Sequence, residues 1–472
     1  MTVEIIGAIT ILLGTVSLFL GADAALGAFV CLTLLGSAGA ILLGGAGTIQ
    51  PAHLMLGFVA VAVFTRPGSL APAMRSLTFP REGFWLAGTV AFGVAGAYLL
   101  PRLFAGATGI NAIGATDEGP SLVLVPLGPT SGNITQSVYL VADLVCFLAV
   151  ASRASTARGF ERLSSALLVY AAANVGFAVI DLLTAASGTG FLLGFIRNAD
   201  YQLHVEETTG GLRRIVGSFT ETSAFSYATI GSLGFTTRLW LAGHRPRLTG
   251  ALSLASLVFL ALSTSSTAYA ATPVVLALLY AGALARTARG TARPVNLAFL
   301  AFAPLAALMI GLAVALVPAT AAAVQDFLDV AIFEKSSSQS GLERAQWNQT
   351  ALQNFVDTDG LGGGLGSIRA SSFPLAVLSN LGLLGALGFA AFFARVFRPA
   401  REPDDTASRK AGPQAARMAC AGLLAAATVS GALVDLGLPF FVFAGLACAR
   451  ISSDPEGPSR SRQGTGRRPG CG

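Results

Sequence analysis

The sequence predicts an all-α, polytopic transmembrane bundle, and three observations carry that prediction. The 472-residue chain is 53% hydrophobic and only 11% charged, with a mean hydropathy of +0.68, a surface that water could not solvate. Its apolar residues gather into long runs, the pattern of membrane helices, whose backbone groups must be satisfied internally because hydrocarbon offers no partner. Its basic residues collect between those runs. Together these place about 12–14 spans in one domain over residues 1–450 and leave a Ser, Gly, Pro and Arg rich tail, 451–472, expected to be disordered. The formal net charge of +6 sits in clusters beside spans, which suits anionic lipids and gives no reason to expect nucleic acid.

In chain order the apolar runs fall near 4–20, 24–45, 51–65, 84–100, 136–152, 163–186, 222–242, 249–268, 271–285, 295–317, 372–397, 417–434 and 438–450. After "MTVE" the first run has no basic leader and is followed at once by others, so it reads as a span and not as a cleaved signal. Several runs fall short of the roughly 20 residues that cross a bilayer. The first three and the last two are therefore candidates to merge or re-enter. Cys31, Cys146, Cys420, Cys448 and Cys471 are scattered, with no paired spacing, so neither disulfides nor a metal cluster is expected.

Orientation follows from Lys and Arg. Of the 30 basic residues, most fall at 66–81, 153–162, 238–247, 286–293, 395–417 and from Arg450 onward. The positive-inside rule makes these connections and the C-terminus cytoplasmic. Two runs separate each basic connection from the next, which leaves only the side of the N-terminus open. The exceptions are Arg102, Arg197, Arg213, Arg214, Lys335, Arg344 and Arg369, all in outer segments at about 101–135, 187–221 and 318–371, longer than ordinary connections.

The last outer segment, 318–371, holds "GLERAQWNQTALQNF", an amphipathic helix in which Leu342, Ala345, Leu352 and Phe355 recur near helical spacing and Trp347 suits an interface. "DTDGLGGGLGS" follows. Its glycines permit backbone conformations closed to other residues; they make either a flexible turn or, with N–H groups exposed, an anion-binding nest. Asp143 and Asp181 stand in or at the ends of apolar runs, where an ionisable residue suggests function. Asp143 lies about two turns below the outer surface and Asp181 near an outer helix end, either to bind sugar hydroxyls, to pair with an outer arginine, or to bond a neighbouring helix.

"RRIVGSFTETSAFS", residues 213–226, resembles the arginine, glycine, phenylalanine and glutamate pattern that opens a central span in bacterial O-antigen and exopolysaccharide polymerases, a superfamily that includes O-antigen ligases. "LSTSSTAY", "ERAQWNQTALQNF", "GLGGGLGSIRASSF" and "LSNLGLLGALGF" follow in matching order over residues 210–395; the N-terminal half is similar in hydropathy alone. The resemblance implies a GT-C-like fold with a long, partly helical periplasmic loop (318–371) in the bacterial inner membrane. It also implies metal-independent transfer of a glycan from an undecaprenyl diphosphate carrier, with no cofactor. Membrane lipids and a chain-length regulator are the further partners expected.

Such a reaction needs cations for the departing diphosphate, and arginine's planar fork matches phosphate oxygens. Arg214 and Arg344 are the expected catalytic cations, with Arg213, Arg369, Trp347 and Asp181 expected to bind substrate. Each arginine has a plainer role in contact with headgroups or as a loop strut, Arg344 with Glu343 or Asp357. Glu221 is the first choice of base for the acceptor hydroxyl. In the plainer reading it favours a helix start behind Thr220 as N-cap, and His204, Glu343, Asp357 and Asp359 are its rivals. Ligases of the superfamily carry a histidine in the large outer loop and 318–371 has none, which favours a polymerase. A lipid-linked-sugar flippase or transporter is the alternative from another class; it would show interrupted helices in two corresponding halves, and the sequence has no internal repeat.

Overall fold

Each apolar run contains a helix in the computed structural model, which describes residues 1–44, 47–66, 68–113, 115–116, 119–120, 124–199, 208–209, 212–316, 325, 339–398 and 407–451. His204, Lys335 and the tail from 452 lie outside the described residues. The helices are α1 (Ile5–Leu20), α2 (Ala22–Leu32), α3 (Pro51–Phe64), α4 (Leu70–Ser76), α5 (Glu82–Leu103), α6 (Ser131–Arg153), α7 (Ala157–Ala186), α8 (Thr222–Leu241), α9 (Pro246–Leu262), α10 (Ser266–Ala288), α11 (Pro294–Leu316), α12 (Gln339–Asp357), α13 (Phe373–Phe397), α14 (Ala407–Ser430) and α15 (Leu438–Ala447). The protein is thus an all-α membrane protein. Among the described residues six helices, α5, α6, α7, α10, α11 and α13, are long and apolar enough to cross a membrane, and α1, α2, α3, α9 and α15 are apolar but shorter. The expected amphipathic helix is α12, its Leu342 and Leu352 exposed and its Ala351 buried.

Helix α8 sits at the centre because its side chains are small. Seventeen of its residues are buried, and helices in membranes associate through close packing of small residues. A Cβ at Gly234 would stand 2.9 Å from the Met418 carbonyl oxygen, and one at Gly422 would stand 2.9 Å from Ile230, so α8 and α14 meet almost backbone to backbone. Phenylalanines fill the middle of the bundle, with Phe147 edge-on to Phe392 at 5.5 Å and Phe392 stacked on Phe441 at 6.2 Å.

Where helices fall short, buried irregular backbone completes the layer, which is tolerated at depth only inside protein. Residues 33–44 continue α2, with Leu34, Ser37, Ala38 and Ala40 all buried. Ile41–Leu42 bridges Thr2–Val3 on one side and Thr48–Ile49 on the other. Segment 431–437 separates α14 from α15. The glycine run is neither a flexible turn nor an exposed nest. Residues 362–368 are buried and thread past a break in α13, where Gly382 leaves the helical region (φ 61°, ψ −162°). The carbonyls freed by the break are taken up by the glycine run: Gly363 N donates to Ser379 O (2.8 Å) and Gly364 N to Asn380 O (3.0 Å), while Leu383 N returns a bond to Gly360 O (2.9 Å). The amides of Gly362, Gly363 and Gly364 are therefore spent on the protein. Asn380 Oδ1 accepts from Ser367 N and Ile368 N at 3.1 Å each, and Asn133 Nδ2 donates to Leu365 O at 2.7 Å. This fastening draws the outer segments together: Arg369 N donates to Asn111 O at 2.8 Å, and Thr108 Oγ1 to Asp357 Oδ2 at 2.6 Å.

Helix α7 separates two chemically different ends. Around Arg162 lie Arg153, bound to Asp23 (Nε to Oδ1, 2.5 Å), and Arg66, whose guanidinium packs against Gly21; all three arginines draw Asp23 below its ordinary carboxylate range, the hydrogen bond from Arg153 first, against the opposing effect of burial. Roughly 28 Å further along α7, at 1.5 Å per residue, stands Asp181 with Arg197 and Arg213. The basic connections and the "RRIVGS" segment thus lie at opposite ends. Because the turn after α1 touches Arg66, the N-terminal residues Thr2–Val3 lie at the Asp181 end, a point the sequence left open.

Candidate functional site

The segment before α8 is held by one carboxylate. Asp181, fully buried, accepts from Val216 N (2.9 Å) and Gly217 N (3.0 Å) through Oδ2. Its Oδ1 faces Arg197 Nη2 at 2.7 Å and Arg213 Nη2 at 3.4 Å, and Arg197 Nη2 also donates to Gly217 O at 2.6 Å. Of the roles raised for Asp181, pairing with an outer arginine is the one the geometry displays. Gly217 is needed at φ 61° to turn both amides towards the carboxylate. Residues 33–44 back the arrangement, Ser37 Oγ donating to Ser218 O at 3.0 Å and to Ile196 O at 2.9 Å.

This anchoring aims the start of α8 into the bundle. Glu221, not Thr220, is the N-cap, with extended backbone (φ −155°, ψ 165°) and a side chain that does not cap. Instead Ser223 Oγ donates to Glu221 Oε1. Glu221, Ser223 and Tyr227 line a cavity of about 300 Å³ with Phe373, Asp435 and Pro439. Three helix N-termini meet there, those of α8, α13 and α15, together with the C-terminus of α14. Partial positive charge at helix starts suits an anion, and carboxylates at Glu221 and Asp435 supply acceptors for hydroxyl protons.

The serine-rich turn joins the same region. Ser226 Oγ lies 3.4 Å from Ser263 Oγ, and Arg214 is close enough to Tyr269, the last residue of "LSTSSTAY", to act on its phenol. Thr222, Thr264, Ser265 and Thr267 carry buried hydroxyls with no hydrogen-bond partner among the described residues. Buried polar groups are ordinarily paired, so this turn has hydrogen-bonding capacity to offer.

The remaining expected residues form a second group. The Arg369 guanidinium lies over the Trp347 ring, 5.2 Å from its centroid, a cation–π contact, and burial holds Arg369 below the ordinary arginine value. Arg344 is on the same helix as Trp347 and is half-buried. Asn348 Oδ1 accepts from Ser371 N at 2.8 Å, fastening α12 to the strand of chain that leads into α13. Phe373, four residues after Arg369, is on the cavity wall. Asp357, a rival base, is engaged on both oxygens, by Thr108 and by Gln353 (2.7 Å). Asp359 is exposed in a left-handed turn, φ 51°.

Sequence reasoning missed Asp435, Tyr227 and Arg197. Asp435 had a legible signal, a carboxylate in "VDLGLP" between two apolar runs; Arg197 was legible as an outer arginine, though only folding joins it to Asp181; Tyr227 had no signal, since only folding brings it to the cavity. Comparison with known proteins finds no family model, no curated protein and no solved structure that matches the chain.

Proposed function

We propose that the protein polymerises oligosaccharide repeat units carried on undecaprenyl diphosphate, by metal-independent glycosyl transfer at the periplasmic face of the inner membrane. The observation that carries the reading is the placement of Glu221 on a cavity where three helix N-termini meet, directly after a segment bearing Arg213 and Arg214, at the end of the bundle opposite the basic connections. Cations and helix starts would stabilise the diphosphate as it departs, one of the two carboxylates on the cavity, Glu221 or Asp435, would receive the acceptor's proton, and Arg344, Trp347 and Arg369 would hold lipid diphosphate or sugar at the approach to α13. A ligase, passing finished glycan to a lipid or protein acceptor, would use the same chemistry.

Purified protein given a lipid-linked repeat unit should yield longer glycans and released undecaprenyl diphosphate. The break in α13 favours one other reading, a flippase, because discontinuous helices build transporter sites; its mark would be unextended oligosaccharide delivered to the opposite leaflet. Within the polymerase reading, Arg214→Lys and Arg344→Lys keep the charge and lose the fork, so each should lower polymerisation at least about tenfold, ~1.4 kcal/mol. Arg102→Lys is the control, since Arg102 donates to the Tyr98 carbonyl of its own helix (2.5 Å) and should be nearly silent. Near-normal polymer from both test variants at equal expression would remove the arginines from the reaction.

Orientation has its own test. An impermeant thiol reagent should label Thr2→Cys and Ser187→Cys in intact spheroplasts, and Thr291→Cys only after the membrane is opened. The inverse pattern would overturn the outward-facing site.

A further inference from the structure

Behind the cavity lies a second carboxyl that the reading above does not use. Asp143 is on α6, 1% exposed, and its Oδ2 is buried with no hydrogen-bond partner among the described residues. Its carboxyl lies within hydrogen-bonding reach of Asp435, whose Oδ1 accepts from Gly437 N at 2.5 Å and which opens onto the cavity. The groups around the pair come from α3, α6, α7, α8 and α14, with Tyr170 of α7 and Cys420 of α14 near Tyr227. Tyr227 of α8 donates its hydroxyl to Leu436 O at 2.7 Å, and Glu221 lines the same cavity as Asp435. Cys146 lies one turn along α6 from Asp143. On α3, His53 is close enough to act on Asp435; its ring sits 4.7 Å from that of Tyr139 and its Nδ1 is buried without a partner.

Two carboxylate oxygens in contact away from water repel, and a proton placed between them turns the repulsion into a hydrogen bond. An unpartnered buried carboxyl oxygen beside a second carboxyl is the arrangement that a shared proton completes. A divalent cation would need more ligands, and no group of three His, Cys, Asp or Glu among the described residues is arranged to hold one.

We propose that Asp143 and Asp435 form a buried proton-exchange site that opens on the cavity through Asp435. The site itself stands on this geometry; its part in turnover rests on the glycosyl-transfer reading. There the acceptor's O–H bond breaks and its oxygen forms the new bond to the anomeric carbon. The bond from that carbon to phosphate oxygen breaks, its electron pair leaving on the diphosphate. The released proton passes to Asp435, with Asp143 as its second seat. Asp435 is then the catalytic base, Asp143 a positioning residue, and Glu221 binds the acceptor.

Infrared difference spectra of the full-length protein across a pH step test the site without any substrate. The carbonyl stretch of a protonated carboxylic acid should appear and titrate. It should shift when aspartate alone carries carbon-13, disappear in Asp143→Asn and Asp435→Asn, and persist in Glu221→Gln. Absence of a band that responds to aspartate labelling, or its survival in both Asn variants, overturns the proposal, and the labelling arm reads the native chain should a variant misfold. In the transfer assay Asp435→Asn should lower kcat by about a hundredfold, the low end for loss of a general base, with donor KM little changed. Asp143→Asn should displace the pH profile of kcat. A band that behaves as described in a protein that makes no polymer would leave the proton site standing and remove the transfer reading. An unchanged kcat in Asp435→Asn with intact polymerisation would remove Asp435 from catalysis.

Discussion

Gly366→Ala should leave no monodisperse, folded protein. The added Cβ would stand 2.3 Å from Gly132 O and 2.6 Å from Gly132 C, and Gly366 also has φ 81°; a Cβ on Gly132 would meet Gly366 O at 2.4 Å in turn. The obstructing atoms are backbone on both sides, held by Thr130 Oγ1 donating to Gly366 O (3.1 Å) and by Asn133 on Leu365 O, so no rotamer change relieves the clash. Loss on the order of 4 kcal/mol or more is expected, in the range where a single change unfolds a domain. Size exclusion in detergent is the measurement. Gly176→Ala, on α7 with open space at the Cβ position, should elute as wild type. A Gly366→Ala protein with normal elution and thermal midpoint would mean that the glycine run is not wedged between α6 and the break in α13.

Asp181→Asn should be nearly as damaging, although it removes only a charge. Arg197 is 9% exposed at its side chain and Asp181 1%, so the guanidinium would keep its place without a counter-ion. Breaking a buried pair from one side typically costs about 3–5 kcal/mol. Asparagine also offers one acceptor oxygen where the carboxylate used two, and its amide would face either the amides of Val216 and Gly217 or the arginines. Thermal unfolding in detergent should show a large drop for Asp181→Asn. The drop should be partly restored in Asp181→Asn/Arg197→Gln, which removes the stranded charge. Equal loss in the single and double variants would show that the amide bonds to residues 216 and 217, not the ion pair, carry the stability.

These two expectations also divide what hydropathy and spacing reveal from what they conceal. The helical runs were legible because a span must be apolar for its whole length, and the basic connections because charge is expelled from hydrocarbon; thus α5 to α7, α10, α11 and α13 begin and end near the positions read from the residues alone. The amphipathic α12 was legible from its period. Of the site, Arg213, Arg214 and Glu221 stood out by their clustering at the mouth of a run, and Arg344, Trp347 and Arg369 by theirs in the long outer segment. The break at Gly382 did not stand out, since a glycine inside an apolar stretch has the same local signature whether it kinks a helix or simply packs; Asp435 was legible as a carboxylate between two apolar runs, but nothing local joined it to the cavity or to Asp143.

The sequence alone therefore determined that this is a helical membrane protein, where its helices run, and which polar segments lie apart from the basic connections, because each of these follows from the transfer of residues, one stretch at a time, between water and hydrocarbon. Tertiary structure decided the rest. It placed the N-terminus at the Asp181 end, turned the glycine run into the complement of a broken helix, closed Asp181 on Arg197, and set Asp143 against Asp435. Each of these depends on hydrogen bonds and close contacts between residues far apart in the chain, whose partners no local pattern names.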